Sequence, residues 1–235
     1  EVLDKIRRSI SNFTISDPYA KNAEDGVYQV SSIYLDDDKV FSYFEKLDGI
    51  KGRKKIRIRT YETKLSKTSN VYLEIKKRDE VVIFKDRSLV PFDRFVTGLE
   101  RGSYDDLLRL GEQDVTVQFI SYLLIKSLKP NVLGSYRREA YLDERNHSFR
   151  ITLDQNLCAK STRNLSFDRT GLVGILPGFA IVEAKFNRIM PAWFGQVIRA
   201  HNLERVSFSK YCFSLEACGM VPQTDLSILP QTWIF

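Results

Sequence analysis

The stretch Lys54 to Tyr61, KKIRIRTY, sets Lys55, Arg57 and Arg59 at alternate positions, with Ile56 and Ile58 between them. Successive side chains of a strand leave on opposite faces, so one face of this segment is cationic and the other apolar. Tyr72 to Arg78, YLEIKKR, repeats the arrangement with Glu74, Lys76 and Arg78 against Leu73 and Ile75. The pattern returns in Ile83 to Arg87 through Lys85 and Arg87, in Phe149 to Asp154 through Arg150, Thr152 and Asp154, and in Ile181 to Asn187 through Glu183, Lys185 and Asn187. A solvated sheet face also alternates. It has no reason, however, to favour Arg and Lys over Glu, Ser and Thr on strand after strand. Arg binds two oxygens of an anion at once and Lys supplies a compact positive charge, so such a face suits an anionic occupant.

Those strands must be held by the rest of the chain. At 235 residues, with 43% hydrophobic and 28% charged residues, the sequence is sufficient for one domain over 1–235 with a substantial core. A net charge of +6 agrees with an anionic partner. Cys158, Cys212 and Cys218 form no CxxC pair and have no His at ligand spacing, which argues against a disulfide framework or structural zinc and fits a reducing compartment. The most apolar run, Phe119 to Leu128, is too short to cross a bilayer, and no signal peptide is recognised. Cytoplasm, or the cytoplasmic face of a membrane, is the expected location.

Taken in order, Val2, Leu3, Ile6 and Ile10 have helical spacing with Arg7 and Arg8 on the wet side, and Asn12 to Gly26 reads as a loop. Tyr28 to Leu35 reads as a strand. Asp38 is placed to cap a helix over Lys39 to Lys46 with the apolar stripe Val40, Phe41, Phe44 and Leu47. Glu62 to Asn70 joins two charged strands as a long hairpin loop, and Pro91 to Leu128 reads as mostly helical. Gly134 to Leu142 and Phe149 to Leu153 form the clearest hairpin; Leu157 to Thr170 is irregular. Pro191 opens a helix over Ala192 to His201, Ser207 to Leu215 reads as the last strand, and Glu216 to Phe235 has no clear periodicity.

The expected fold is α+β: an antiparallel sheet curled into a β-barrel, helices packed on its apolar outside and a charged lumen within. Like charges crowded inside such a lumen are costly without a counter-ion, which makes an anion the natural ligand.

Together, SSIYLDD at Ser31 to Asp37, RKKIRIRTY at Arg53 to Tyr61, YLEIKKR, SYRREAY at Ser135 to Tyr141, FRITLD at Phe149 to Asp154, VEAKF at Val182 to Phe186 and FSKY at Phe208 to Tyr211 resemble the VTC (vacuolar transporter chaperone, or polyphosphate polymerase) domain of the triphosphate tunnel metalloenzyme superfamily. The resemblance implies a tunnel that binds ATP and polyphosphate or triphosphate together with Mn²⁺ or Mg²⁺. It implies catalytic roles for Arg57, Arg59, Lys76 and Arg138, which also bind phosphate beside Lys85, Arg150 and Lys210. Glu183 matches the metal-carrying glutamate. Glu74 is either a second metal or water ligand or an ion-pair partner orienting Arg57, and Lys210 is out of phase with Ser207 and Ser209 on the strand expected there. The family's opening E-x-K-Y strand has no counterpart, since the sequence starts at the following helix; a preceding segment is expected to supply it.

The function implied is transfer of the ATP γ-phosphoryl group to a growing polyphosphate chain. Hydrolysis of tri- or polyphosphate in the same tunnel and non-catalytic polyphosphate binding remain as alternatives. A membrane-protein partner is compatible with the resemblance. Nucleic acid is not expected, because Tyr61 and Tyr72 flank the basic runs rather than interleave them.

Overall fold

The computed structural model describes residues 1–21, 23–80, 82–223 and 233–234. Its strands are β1 (Thr14–Ser16), β2 (Val27–Asp36), β3 (Arg53–Thr60), β4 (Asn70–Asp79), β5 (Val82–Pro91), β6 (Lys129–Asp143), β7 (Arg150–Ser161), β8 (Val173–Gly174), β9 (Ile181–Lys185), β10 (Glu204–Arg205) and β11 (Trp233–Ile234). Its helices are α1 (Val2–Ile10), α2 (Pro18–Lys21), α3 (Phe41–Leu47), α4 (Phe92–Arg101), α5 (Tyr104–Leu107), α6 (Gln113–Ile125), α7 (Ala192–Ala200) and α8 (Lys210–Ala217). All the strands belong to one sheet in the order β10-β11-β9-β7-β6-β2-β3-β4-β5, with β1 added to β6 and β8 to β7.

The period-two pattern explains which side is covered. Ile56, Ile58, Leu73, Ile75 and Val90 face away from the charged side and meet Phe95, Leu107 and Phe119 of the α4–α6 layer. Phe149, Ile151, Leu153 and Val182 on the far part of the sheet do the same against Ile6, Ile10, Phe194 and Val197 of α1 and α7. Each fully buried aliphatic or aromatic side chain contributes about 1.5–3 kcal/mol. These two clusters therefore hold the curved sheet from outside. No helix among the described residues is long and apolar enough to cross a membrane.

Three expectations are corrected. The sheet is antiparallel from β5 to β9, with β9, β11 and β10 paired in parallel, and among the described residues it is curled but not a closed barrel: β5 and β10 are its two edges, and no described strand pairs with the outer side of β5. The far edge is built from β9, β11 and β10, with only five, two and two residues, against ten in β5.

Ser207 to Leu215 is not a strand. Ser209 caps α8 by accepting a hydrogen bond from the Cys212 amide, and SFSKYCFSL places Tyr211, Cys212 and Leu215 on one buried helical face. This helix packs on the concave side of the sheet, against Val30, Tyr34 and Tyr136. Gly134 on β6 allows the approach, because a Cβ there would lie 3.2 Å from the Ser214 hydroxyl and 3.4 Å from the Tyr34 ring. Ser209→Ala is expected to cost about 1 kcal/mol, measurable as a lower urea midpoint at unchanged slope.

The helix after β2 begins later than its stripe suggests. Asp37 accepts from the Phe41 amide at 2.9 Å and Asp36 from the Ser42 amide, while Asp38 instead pairs with Lys129 and Arg163. Of this helix only Tyr43 is buried; Phe41, Phe44 and Leu47 lie exposed. Smaller differences follow the same logic. β7 continues to Ser161, and Arg7, expected on the wet side, instead makes two hydrogen bonds to Glu139 on β6. The Asn12 to Gly26 segment carries β1 and α2. Of the stretch from Glu216, residues 224–232 and 235 lie outside the described residues.

Candidate functional site

The concave face carries the alternating charges. β3 is an interior strand between β2 and β4, so Arg57 and Arg59 are not edge cations. The register sets Arg57 opposite Glu74, and Glu74 opposite Arg87, while Lys76 faces Lys85 on one side and Lys55 on the other. Glu74 is fully buried and serves as the hub. Arg57 donates to its Oε2 through Nε at 2.7 Å and lies 2.6 Å away through Nη2; Arg59 is 3.7 Å from the same oxygen and the Lys85 ammonium 3.8 Å from Oε1. Burial works to raise the pKa of Glu74, but Arg57, Arg59 and Lys85 outweigh it and bring it down to about 2.

A second cluster lies across the lumen. Arg138 on β6 grips the buried Asp154 of β7 with Nε at 2.6 Å and Nη2 at 2.7 Å, and Lys210 from the first turn of α8 reaches the same carboxylate at 2.7 Å. Beside it, Glu183 on β9 pairs with Lys185 at 3.1 Å and lies 3.6 Å from Arg138. Burial opposes ionisation of Glu183, yet Lys185, Lys210, Arg138 and Lys76 together hold its carboxyl far below the usual range. Asp154 is depressed likewise, with Lys210 and Arg138 overcoming its burial.

Tyr136 joins the two clusters. Its hydroxyl accepts from Arg59 at 3.4 Å, and the cations of Arg138 and Lys210 lie 5.2 and 5.0 Å from its ring centre. Lys76 projects into the lumen between them. Desolvation of its ammonium by the surrounding side chains, with Arg57 adding repulsion and Glu183 opposing, lowers its pKa to about 8. Lys76 thus feels Glu183 although four strands separate β4 from β9 in the sheet, as a curled sheet allows. A polyanion inside this curve meets cations from both walls.

A family model described as the VTC domain matches residues 1–218. The chain belongs to the VTC family. Membership ties this VTC domain to a tunnel-type fold with a polyphosphate-related function, in a family of phosphoryl-transfer enzymes. No curated protein matches the sequence. Among solved structures, the domain is similar to a Bacillus halodurans protein provisionally described as an adenylate cyclase, with 14% identity, coverage of 88% of each chain and a TM-score of 0.47.

The expected site residues of the VTC domain separate into three groups. Arg57, Arg59, Lys76, Lys85 and Glu74 converge on one wall. Arg138, Lys210 and Glu183 converge on the other; the uncertain phase of Lys210 disappears because it enters from a helix start rather than along a strand. Arg150 stands apart, with Nε 3.0 Å from Asp17 and Nη2 3.3 Å from the Tyr28 hydroxyl. Like Arg57 and Arg138 it is paired with an acid, and its side chain keeps 28% of its surface exposed, opposite Lys185 in the ladder.

Asp154, Tyr136 and Asp17 were not among the expected site residues. Asp154 has a visible signal, since it alternates with Arg150 and Thr152. Tyr136 has one too, two residues before Arg138 on the same strand, whereas Asp17 has none, because only the path of the chain before α2 brings it in.

The two candidate metal ligands differ. Glu74 fits poorly, with three cations packed around a carboxylate that has no exposed surface. It is the ion-pair partner that orients Arg57. Glu183 fits, with 22% of its side chain exposed to the lumen and an ionised hard oxygen donor. Among the described residues no three His, Cys, Asp or Glu side chains converge, so an ion at Glu183 would take its remaining ligands from phosphate and water, as Mg²⁺ and Mn²⁺ commonly do.

Proposed function

We propose that this VTC domain is a metal-dependent polyphosphate polymerase that transfers the γ-phosphoryl group of ATP to a polyphosphate end within the cationic lumen. The reading is supported above all by the two facing cation clusters, Arg57, Arg59 and Lys85 around Glu74, and Arg138 and Lys210 around Asp154, with the accessible Glu183 and Lys76 between them. The arginines fix phosphate oxygens in pairs, and the buried acids hold the guanidinium groups in place before substrate arrives.

In the proposed step a terminal phosphate oxygen of the polymer attacks the γ-phosphorus. The bond from that phosphorus to the β–γ bridging oxygen breaks, and ADP leaves with the electron pair. The attacking oxygen is already ionised, so no protein base is needed. Neither histidine offers one: His147 is in an exposed turn and His201 hydrogen-bonds Ser9 between α1 and α7. Arg57, Arg59 and Arg138 spread the charge on the transferring group, and Lys76 and Lys85 offset charge on the flanking phosphates. A divalent ion held by Glu183, when bound, would add charge neutralisation and alignment of the terminal phosphate.

The test is incubation with ATP and Mn²⁺ and gel detection of polymer, beside Arg59→Ala and Glu183→Ala. Polymer from the parent and none from either variant is the expected result. Free phosphate without polymer would mean a hydrolase, and tight phosphate binding without either product a binding module.

A pH dependence follows from Lys76. Anions favour its protonated form, so tripolyphosphate affinity is expected to fall as pH rises through about 8, where the ammonium loses its charge. Lys76→Arg should abolish that fall, because guanidinium stays charged throughout. Titration calorimetry from pH 6.5 to 9.5 checks both.

A further inference from the structure

Glu183 on β9 stands directly across the ladder from Thr152 on β7, which on its other side faces Ala140 on β6. The lumen-facing neighbours of Thr152 along β7 are both engaged, Arg150 with Asp17 and Tyr28 and Asp154 with Arg138 and Lys210. Thr152 itself is only 1% exposed, yet its hydroxyl has no hydrogen-bond partner. Glu74 Oε1 and Arg150 Nε also lack one, but they lie 3.8 and 3.0 Å from an opposite charge. A buried hydroxyl left unbonded costs free energy, and folded proteins rarely keep one without a use.

The ladder supplies a partner for it. Residues directly opposite on antiparallel strands have Cβ atoms about 4.5–5.5 Å apart, so a glutamate side chain can turn onto a threonine hydroxyl across from it. In this structure the Glu183 carboxylate is turned to Lys185, at 3.1 Å, and to Arg138, at 3.6 Å. A phosphate in the lumen competes for both of those cations. Once they turn to it, the carboxylate needs a new donor, and the unbonded Thr152 hydroxyl is the one directly opposite.

We propose that Thr152 is a positioning residue for Glu183: when phosphate and a divalent ion enter the lumen, the Thr152 hydroxyl donates to one carboxylate oxygen of Glu183 and leaves the other for the ion. A β-branched side chain on an interior strand has little freedom to move, so this donor would fix the direction in which the carboxylate points. Partners that orient a metal-binding carboxylate in this way set its affinity for the ion without touching the ion themselves. Serine would keep the donor, and valine would keep only the shape.

This inference rests on Glu183 as the residue that carries the ion, and the experiment separates the two. Calorimetry would compare tripolyphosphate in EDTA with its preformed Mn²⁺ complex for the parent, Thr152→Val, Thr152→Ser and Glu183→Gln. Thr152→Val is expected to bind the Mn²⁺ complex about 10- to 100-fold more weakly and the metal-free ligand as the parent does, with Thr152→Ser near the parent for both. Combined with Glu183→Gln, Thr152→Val should add no further loss, because it acts through that carboxylate. Its urea midpoint should equal or exceed the parent's, since the hydroxyl removed has no partner in the unliganded protein. Parental affinity of Thr152→Val for the Mn²⁺ complex, an equal loss for both ligands, a further loss on the Glu183→Gln background or a lower urea midpoint would each overturn the assignment. Glu183→Gln binding the Mn²⁺ complex as tightly as the parent would instead overturn the metal reading of Glu183, and Thr152 would fall with it.

Discussion

Glu183→Gln should leave the domain folded and its affinity for tripolyphosphate intact or higher, yet lower polymer formation by about 10²–10³-fold, the size of effect produced when one group that organises transition-state charge is removed. The two halves of this expectation have different causes. Removing the carboxylate takes a negative charge out of a cationic lumen, so Lys185, Arg138 and Lys76 have more charge to offer a bound phosphate. The same change removes the accessible hard oxygen donor that an ion needs there. Turnover falling while binding holds is therefore a signature that a merely structural role would not produce. Full polymer formation by Glu183→Gln would make Glu183 no more than the ion-pair partner of Lys185. Gel quantification of polymer and calorimetry on the same preparations supply the two readings.

Asp154→Ala is expected to be the most destabilising single change in the lumen, by about 3–5 kcal/mol, because it leaves two cations buried without their anion. Arg138 and Lys210 converge on that carboxylate at 2.6–2.7 Å, and Asp154 itself has no exposed surface. Urea unfolding measures the loss. Tripolyphosphate should recover part of it by binding the folded state and supplying the missing negative charge. A loss below 1 kcal/mol would show that solvent already screens Arg138 and Lys210.

The same carboxylates set the response to acid. Asp154, Glu74 and Glu183 all have folded-state pKa values below those of an unfolded chain, so each contributes stability above roughly pH 4 that disappears as pH falls through its folded value. For Glu74 that value is about 2. Stability is accordingly expected to be flat near neutrality and to fall between roughly pH 4 and 2.

The strands were legible because alternation is a local property. KKIRIRTY and YLEIKKR can satisfy a buried apolar face and a charged face only as strands, so β3 and β4 and their shared cationic side followed from the residues alone. The order of motifs from SSIYLDD to FSKY was enough for the family; Arg57, Arg59, Lys76, Lys85 and Glu183 were visible as charged members of an alternating repeat, whereas Arg138, between Arg137 and Glu139, came only from the resemblance. SFSKYCFSL was not legible in the same way. Its apolar residues satisfy a period of two and a helical face equally, and a single hydrogen bond from Ser209 to the Cys212 amide decides between them.

Other features belong to the tertiary structure alone. Whether the sheet closes depends on the lengths of its edge strands, and whether Phe41, Phe44 and Leu47 are buried depends on what packs over α3; neither is encoded within a short window. Which acid serves which cation is likewise a matter of curvature. The residue pattern alone was enough for a cation-lined, helix-backed antiparallel sheet of the VTC family. Only the curl of that sheet, which brings Lys76 of β4 within electrostatic reach of Glu183 on β9, separated Glu74 as a buried counter-ion from Glu183 as the accessible carboxylate, because burial and charge neighbours arise from strands far apart in the chain.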